Sequence, residues 1–120
     1  MSEEHLVLVV DDDPEIRASL SELLGEEGYQ VVAAANGREA LDWLRAAPAT
    51  PCMILLDLMM PEMTGWEFRD LQSRDPQLSD IPVTVISACG ETGGLALAAD
   101  RVLCKPLRIE RLLDLLDRFC

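Results

Sequence analysis

Short apolar runs of Val, Ile and Leu alternate along this chain with segments whose apolar residues recur at helical spacing. Leu6-Val7-Leu8-Val9-Val10 is apolar at successive positions, so both faces of that strand belong in a core, as in the centre of a parallel sheet. Asp13-Pro14 supplies an N-cap and a first helical residue. Ile16, Leu20, Leu23 and Leu24 then follow at i, i+4, i+7 and i+8, the spacing of one helical stripe. Gly28 suits a helix stop. Residues 30–34 predict a second strand, and Asn36-Gly37 leads into a helix carrying Ala40, Leu41 and Leu44. Met53-Ile54-Leu55-Leu56 reads as a third buried strand ended by Asp57, followed by a loop with Pro61 and a helix from near Gly65. A fourth strand over 83–86 is ended by Ser87, and a short fifth covers 101–104. The last helix, 108–119, places Ile109, Leu112, Leu113, Leu116 and Phe119 on one face.

Five β-α units in succession predict an α/β fold: a doubly wound, five-stranded parallel sheet with right-handed crossovers and helices on both faces. With 120 residues and no repeat, linker or low-complexity tract, 1–120 reads as a single domain with one real core. In such sheets ligands sit beyond the carboxyl ends of the strands. Every residue that directly follows a strand therefore lies along one edge, and here those residues are Asp11-Asp12, Asp57, Ser87 and Lys105.

Composition narrows the partners. A hydrophobic content of 49% suits a compact fold, and a net charge of −12 repels phosphate backbones and anionic lipid. Direct nucleic-acid binding and membrane binding are not expected. No apolar run approaches the roughly 18–20 residues of a membrane span, and the acidic start Met1-Ser2-Glu3-Glu4 lacks the positive charge of a signal peptide. The cytoplasm is the expected compartment. The four cysteines, Cys52, Cys89, Cys104 and Cys120, show no CxxC spacing and read there as core residues or free thiols rather than disulfides or zinc ligands. His5 reads as solvated, and Trp43 and Trp66 as packing residues.

On the edge, crowded carboxylates repel unless a cation sits among them. Mg²⁺ suits such hard oxygen donors, and Lys105 adds a compact positive charge. An aspartate so placed can accept a phosphoryl group: its carboxylate is the nucleophile, the cations offset charge on the phosphoryl oxygens, and Ser87 can donate a hydrogen bond to one of them. Each residue also has a plainer role open to it. The Asp triplet could cap the first helix, Asp57 could cap the next turn, Ser87 could merely end a strand, and Lys105-Pro106 could be an ordinary turn. It is the joint placement after four separate strands that points to a site.

The segments Val9-Val10-Asp11-Asp12-Asp13, Leu56-Asp57-Leu58-Met59-Met60-Pro61 with Gly65, Val85-Ile86-Ser87-Ala88 and Lys105-Pro106 resemble those of response-regulator receiver domains, over essentially the whole chain. The resemblance implies a flavodoxin-like strand order, 2-1-3-4-5, with the site at its switch point. It also implies that Asp57 is the phosphoacceptor in a two-component or phosphorelay system. Asp12 would be a direct Mg²⁺ ligand beside Asp57, Asp11 would hold metal-bound water, and the Met59 carbonyl would complete the protein ligands. Ser87 would contact a phosphoryl oxygen and Lys105 would pair with the phosphoryl group. The donor would be a histidine kinase or a histidine phosphotransfer protein. Such a domain catalyses only its own phosphorylation and dephosphorylation, and phosphorylation switches protein–protein contacts.

The chain departs from the family pattern at three places. Val102 stands where receivers usually carry an aromatic residue, and Met59 and Cys89 are uncommon at positions that tune phosphoryl lifetime. The stretch from Ser87 to Lys105 is short for the family, so 89–100 has room only for a shortened fourth helix. Two alternatives follow: a pseudo-receiver that interacts without being phosphorylated, and a haloacid-dehalogenase-like phosphatase whose DxD would be Asp11-Asp12-Asp13. Against the phosphatase, Pro14-Glu15 follows that triplet.

Overall fold

The period-two alternation of side chains along a strand sorts the apolar residues of this chain onto the two faces of one sheet. The computed structural model describes residues 5–46, 50–57, 63–88, 101–105 and 108–120, with backbone alone for 66, 87, 88 and 101–105. In chain order the elements are β1 (His5–Val10), α1 (Pro14–Glu26), β2 (Tyr29–Ala34), α2 (Gly37–Ala46), β3 (Met53–Asp57), α3 (Gly65–Arg74), β4 (Val83–Ala88), β5 (Arg101–Lys105) and α4 (Ile109–Phe119). The strands pair in parallel in the order β2-β1-β3-β4. The backbone of β5 runs beside β4, with Cys104 opposite Ser87 and Lys105 opposite Ala88. The α/β parallel architecture expected from the sequence is thus present. The shortened fourth helix expected within 89–100 lies outside the described residues.

One face of the sheet presents Leu8, Val10, Ile54, Leu56, Val83 and Val85 to Ala40, Leu41 and Leu44 of α2 and Phe68 of α3. The other presents Val7, Val9, Met53, Leu55 and Ile86 to Leu20 and Leu24 of α1 and Leu112 and Leu116 of α4. Trp43 packs against the first cluster, as expected. The first three helices start on side-chain caps, whereas α4 starts at Arg108 without one. Asp13 caps α1 with Pro14 following, the Asn36 side chain accepts from Glu39 N–H while Glu39 accepts from Ala35 N–H, and Thr64 with Glu67 closes a capping box on α3. Gly28 ends α1 with φ of 95°, a conformation glycine adopts without steric cost.

Two sequence expectations change, and a third is extended. Leu23 is 41% exposed while Leu20 and Leu24 are buried, because the buried stripe of α1 is centred on that pair and Leu23 falls on its shoulder. His5 is exposed, as expected, but not without a neighbour: it lies beside Tyr29 across the β1–β2 pair, with ring centroids 5.9 Å apart. Cys52 and Cys120 are joined in a disulfide with Cα atoms 5.5 Å apart and a sequence separation of 68. No short cysteine spacing signals that pair; the packing of α4 on the sheet brings the helix end to the start of β3.

Gln72 is a buried polar residue that the hydrophobic pattern did not reveal. It is fully buried, its amide donates to the carbonyls of Leu78 at 2.6 Å and Ile81 at 3.3 Å, and its oxygen accepts from Arg69 at 2.6 Å. It thereby ties α3 to the chain entering β4. Gln72→Leu would leave those carbonyls without this donor, and we expect a loss of about 1–3 kcal/mol, measured by urea denaturation; a midpoint unchanged from the parent would show that the tie is dispensable.

Candidate functional site

The end of β1 builds the first wall of the site. Asp11 N–H donates to the Ala34 carbonyl at 3.1 Å, so the ladder to β2 continues one residue past the strand and holds the Asp11 backbone in line. Its carboxylate accepts from Asp13 N–H at 2.9 Å, and the Asp13 carboxylate accepts from Glu15 N–H at 2.9 Å. From the following helix, Arg17 donates to the Asp11 main-chain carbonyl at 2.8 Å. The acidic triplet therefore divides its labour. Asp13 is the helix cap, Asp11 braces the turn, and Asp12 is exposed.

Asp57 is the last residue of β3 and sits opposite Ile86 of β4. Both Asp57 and Asp11 are only 4% exposed. Carboxylate oxygens of Asp11, Asp12 and Asp57 all lie within 4.8 Å of one another. Three acidic groups this close repel unless positive charge offsets them. A set of hard oxygen donors at one point, two of them sheltered from bulk water, fits a hard divalent cation such as Mg²⁺.

The structure thus gathers three of the expected site residues. Ser87 lies within β4 rather than after it, and Lys105 closes β5 rather than following it, so both strands run longer than the sequence pattern suggested. Their backbones belong to the same carboxyl-end edge as Asp57. Met59 lies outside the described residues. Arg17 was missed by sequence reasoning; its signal was a cation one turn after the cap of a helix that follows an acidic run. Tyr29, whose hydroxyl pKa is raised by burial and then by the Asp117 and Glu27 carboxylates, begins β2 at the opposite edge and is no part of the cluster.

With this geometry in hand, comparison with known proteins is specific. Residues 7–117 match the response regulator receiver domain family. Response regulator MprA of Mycolicibacterium vanbaalenii is 41% identical over 112 residues, which cover 89% of this chain and 46% of that protein. Among solved structures, the chemotaxis protein CheY4 of Vibrio cholerae aligns with a TM-score of 0.86 at 34% identity, covering 98% of this chain and 100% of that one. The response regulator TrrA of Thermotoga maritima, solved in complex with Mg²⁺ and BeF, aligns with a TM-score of 0.84 at 30% identity, covering 96% and 98% of the two chains. This chain belongs to the response regulator receiver domain family, the signalling modules of two-component systems. It spans about half the length of the curated relatives it matches. Among the described residues no helix is long and apolar enough to cross a membrane.

Since Asp13 rather than Asp12 caps α1, Asp12→Ala is expected to weaken Mg²⁺ affinity by about tenfold or more while the metal-free protein melts no lower than the parent. Calorimetric Mg²⁺ titration and thermal melts by circular dichroism check the pair. A melt well below the parent would make Asp12 a structural residue instead.

Proposed function

We propose that this domain accepts a phosphoryl group on Asp57, with Mg²⁺ bound beside it, and that the modification switches its contacts with other proteins. The observation that carries the proposal is the convergence of Asp11, Asp12 and Asp57 at one strand-end edge, with Asp57 buried. The donor is a histidine kinase or a histidine phosphotransfer protein. An Asp57 carboxylate oxygen forms a bond to phosphorus as the bond from phosphorus to the donor's imidazole nitrogen breaks, and that nitrogen keeps the electron pair. Asp11, Asp12, Asp57 and the Met59 carbonyl would hold the ion, directly or through water. When bound, Mg²⁺ offsets negative charge on the phosphoryl oxygens. Ser87 donates a hydrogen bond to one of those oxygens, and Lys105 sets its ammonium against the group.

In this proposal 1–120 is one receiver domain on a five-stranded sheet of order 2-1-3-4-5. It works in the cytoplasm and turns over no substrate other than its own phosphoryl group. A net charge of −12 opposes direct contact with nucleic acid or anionic lipid. The TrrA complex with Mg²⁺ and BeF supports the assignment by likeness of fold and sequence. Membership of the receiver family leaves no ground for the phosphatase alternative.

Incubation with a small phosphodonor and Mg²⁺ should add the mass of one phosphoryl group to the intact protein, and Asp57→Asn should abolish the gain. Persistence of the gain in that variant would move the acceptor elsewhere. No gain with any donor would make the chain a pseudo-receiver that interacts unmodified.

A further inference from the structure

Cys52 precedes β3 and Cys120 follows α4. Their disulfide therefore lies at the amino-end edge of the sheet, opposite the acidic cluster. The separation along β3 is about 16 Å, taking five residues at the usual strand rise. Both cysteines pack, half-buried, against the core cluster that holds Leu112 and Leu116 of α4 together with Met53 and Leu55 of β3.

Two features make both redox forms of this pair accommodating. The fold has a complete apolar core on each side of the sheet without the crosslink, so the dithiol form retains its packing. Cys52 Sγ also lies 3.3 Å from the Leu6 carbonyl oxygen, an acceptor placed for the S–H proton when the sulfur is reduced, and Cys52 N–H holds the same carbonyl at 2.8 Å. In a reducing compartment, disulfides that form are mostly transient. Partly exposed cysteines at the ends of two elements are open to thiol–disulfide exchange.

We propose that Cys52 and Cys120 are a reversible thiol–disulfide pair, a modification site that reacts with small disulfides such as oxidised glutathione and fastens the end of α4 to the start of β3. In the oxidising direction one cysteine thiolate attacks the small disulfide and releases one glutathione thiol. The second cysteine thiolate then displaces the other glutathione from the mixed disulfide. Two electrons and two protons pass to the glutathione pair, and one S–S bond replaces another. Oxidation closes a loop across 68 residues of sequence and suppresses opening of the last helical turn, where Cys120 N–H is bonded to the Leu116 carbonyl at 2.7 Å. The acidic edge is untouched.

The test uses the whole chain equilibrated with glutathione at a series of reduced-to-oxidised ratios, then alkylated and digested with trypsin without reduction. Cleavage after Arg45, Arg69 and Arg118 isolates Cys52 and Cys120 in peptides distinct from those of Cys89 and Cys104. The peptide pair joining Cys52 to Cys120 should pass from minor to dominant across the series. One form at every ratio, only glutathione adducts, or a link through Cys89 or Cys104 would overturn the proposal. Hydrogen exchange of residues 113–120 should be about tenfold faster in the reduced protein, and Cys120→Ser should exchange at the fast rate in either buffer. Equal exchange in the linked and reduced proteins would remove the fastening role. Mg²⁺ affinity should agree within about twofold in both forms, so failure here and failure of the Asp57 assignment are read separately.

Discussion

Two carboxylates, Asp11 and Asp57, are buried side by side at the end of an otherwise apolar sheet, and holding such polar groups out of bulk water is the constraint around which the structure is arranged. Around them the backbone is held firmly. The β1–β2 ladder runs on to Asp11, the Asp13 N–H bonds its carboxylate, and Arg17 grips its carbonyl. These bonds fix the turn that carries the acidic cluster.

The framework that maintains this arrangement is mostly nonspecific burial with a few polar ties. Strands β1 and β3 are buried on both faces, and their alternating side chains feed two separate clusters under two pairs of helices. Gln72 adds a directed tie where the chain from α3 turns into β4, and β4 is the strand that carries Ser87 to the functional edge. The disulfide secures the opposite edge. Chemistry is thus concentrated at the carboxyl ends of the strands and fastening at their amino ends, a division that follows from every paired strand running the same way.

Likeness to other receivers spans nearly the full length of this chain but about half the length of the curated relatives. That difference separates what the domain shares with its family from what any longer protein does with it. What is shared with the solved receivers is the fold.

The sequence by itself determined the class of fold and the acidic half of the site, because both follow from local rules. Apolar runs at strand spacing place β1, β2 and β3 within a residue of their observed bounds, and parallel strands oblige Asp11-Asp12 and Asp57 to share an edge. That Asp13 caps α1 was legible from Pro14 beside it, but that Asp11 is buried and braces the turn while Asp12 stays exposed was not, since the two are chemically alike; only the folded turn separated them. The burial of Gln72, the exposure of Leu23 and the meeting of Cys52 with Cys120 were equally hidden. Each depends on how one element packs against another far away in the chain, and a periodic pattern within one element carries no information about that distance.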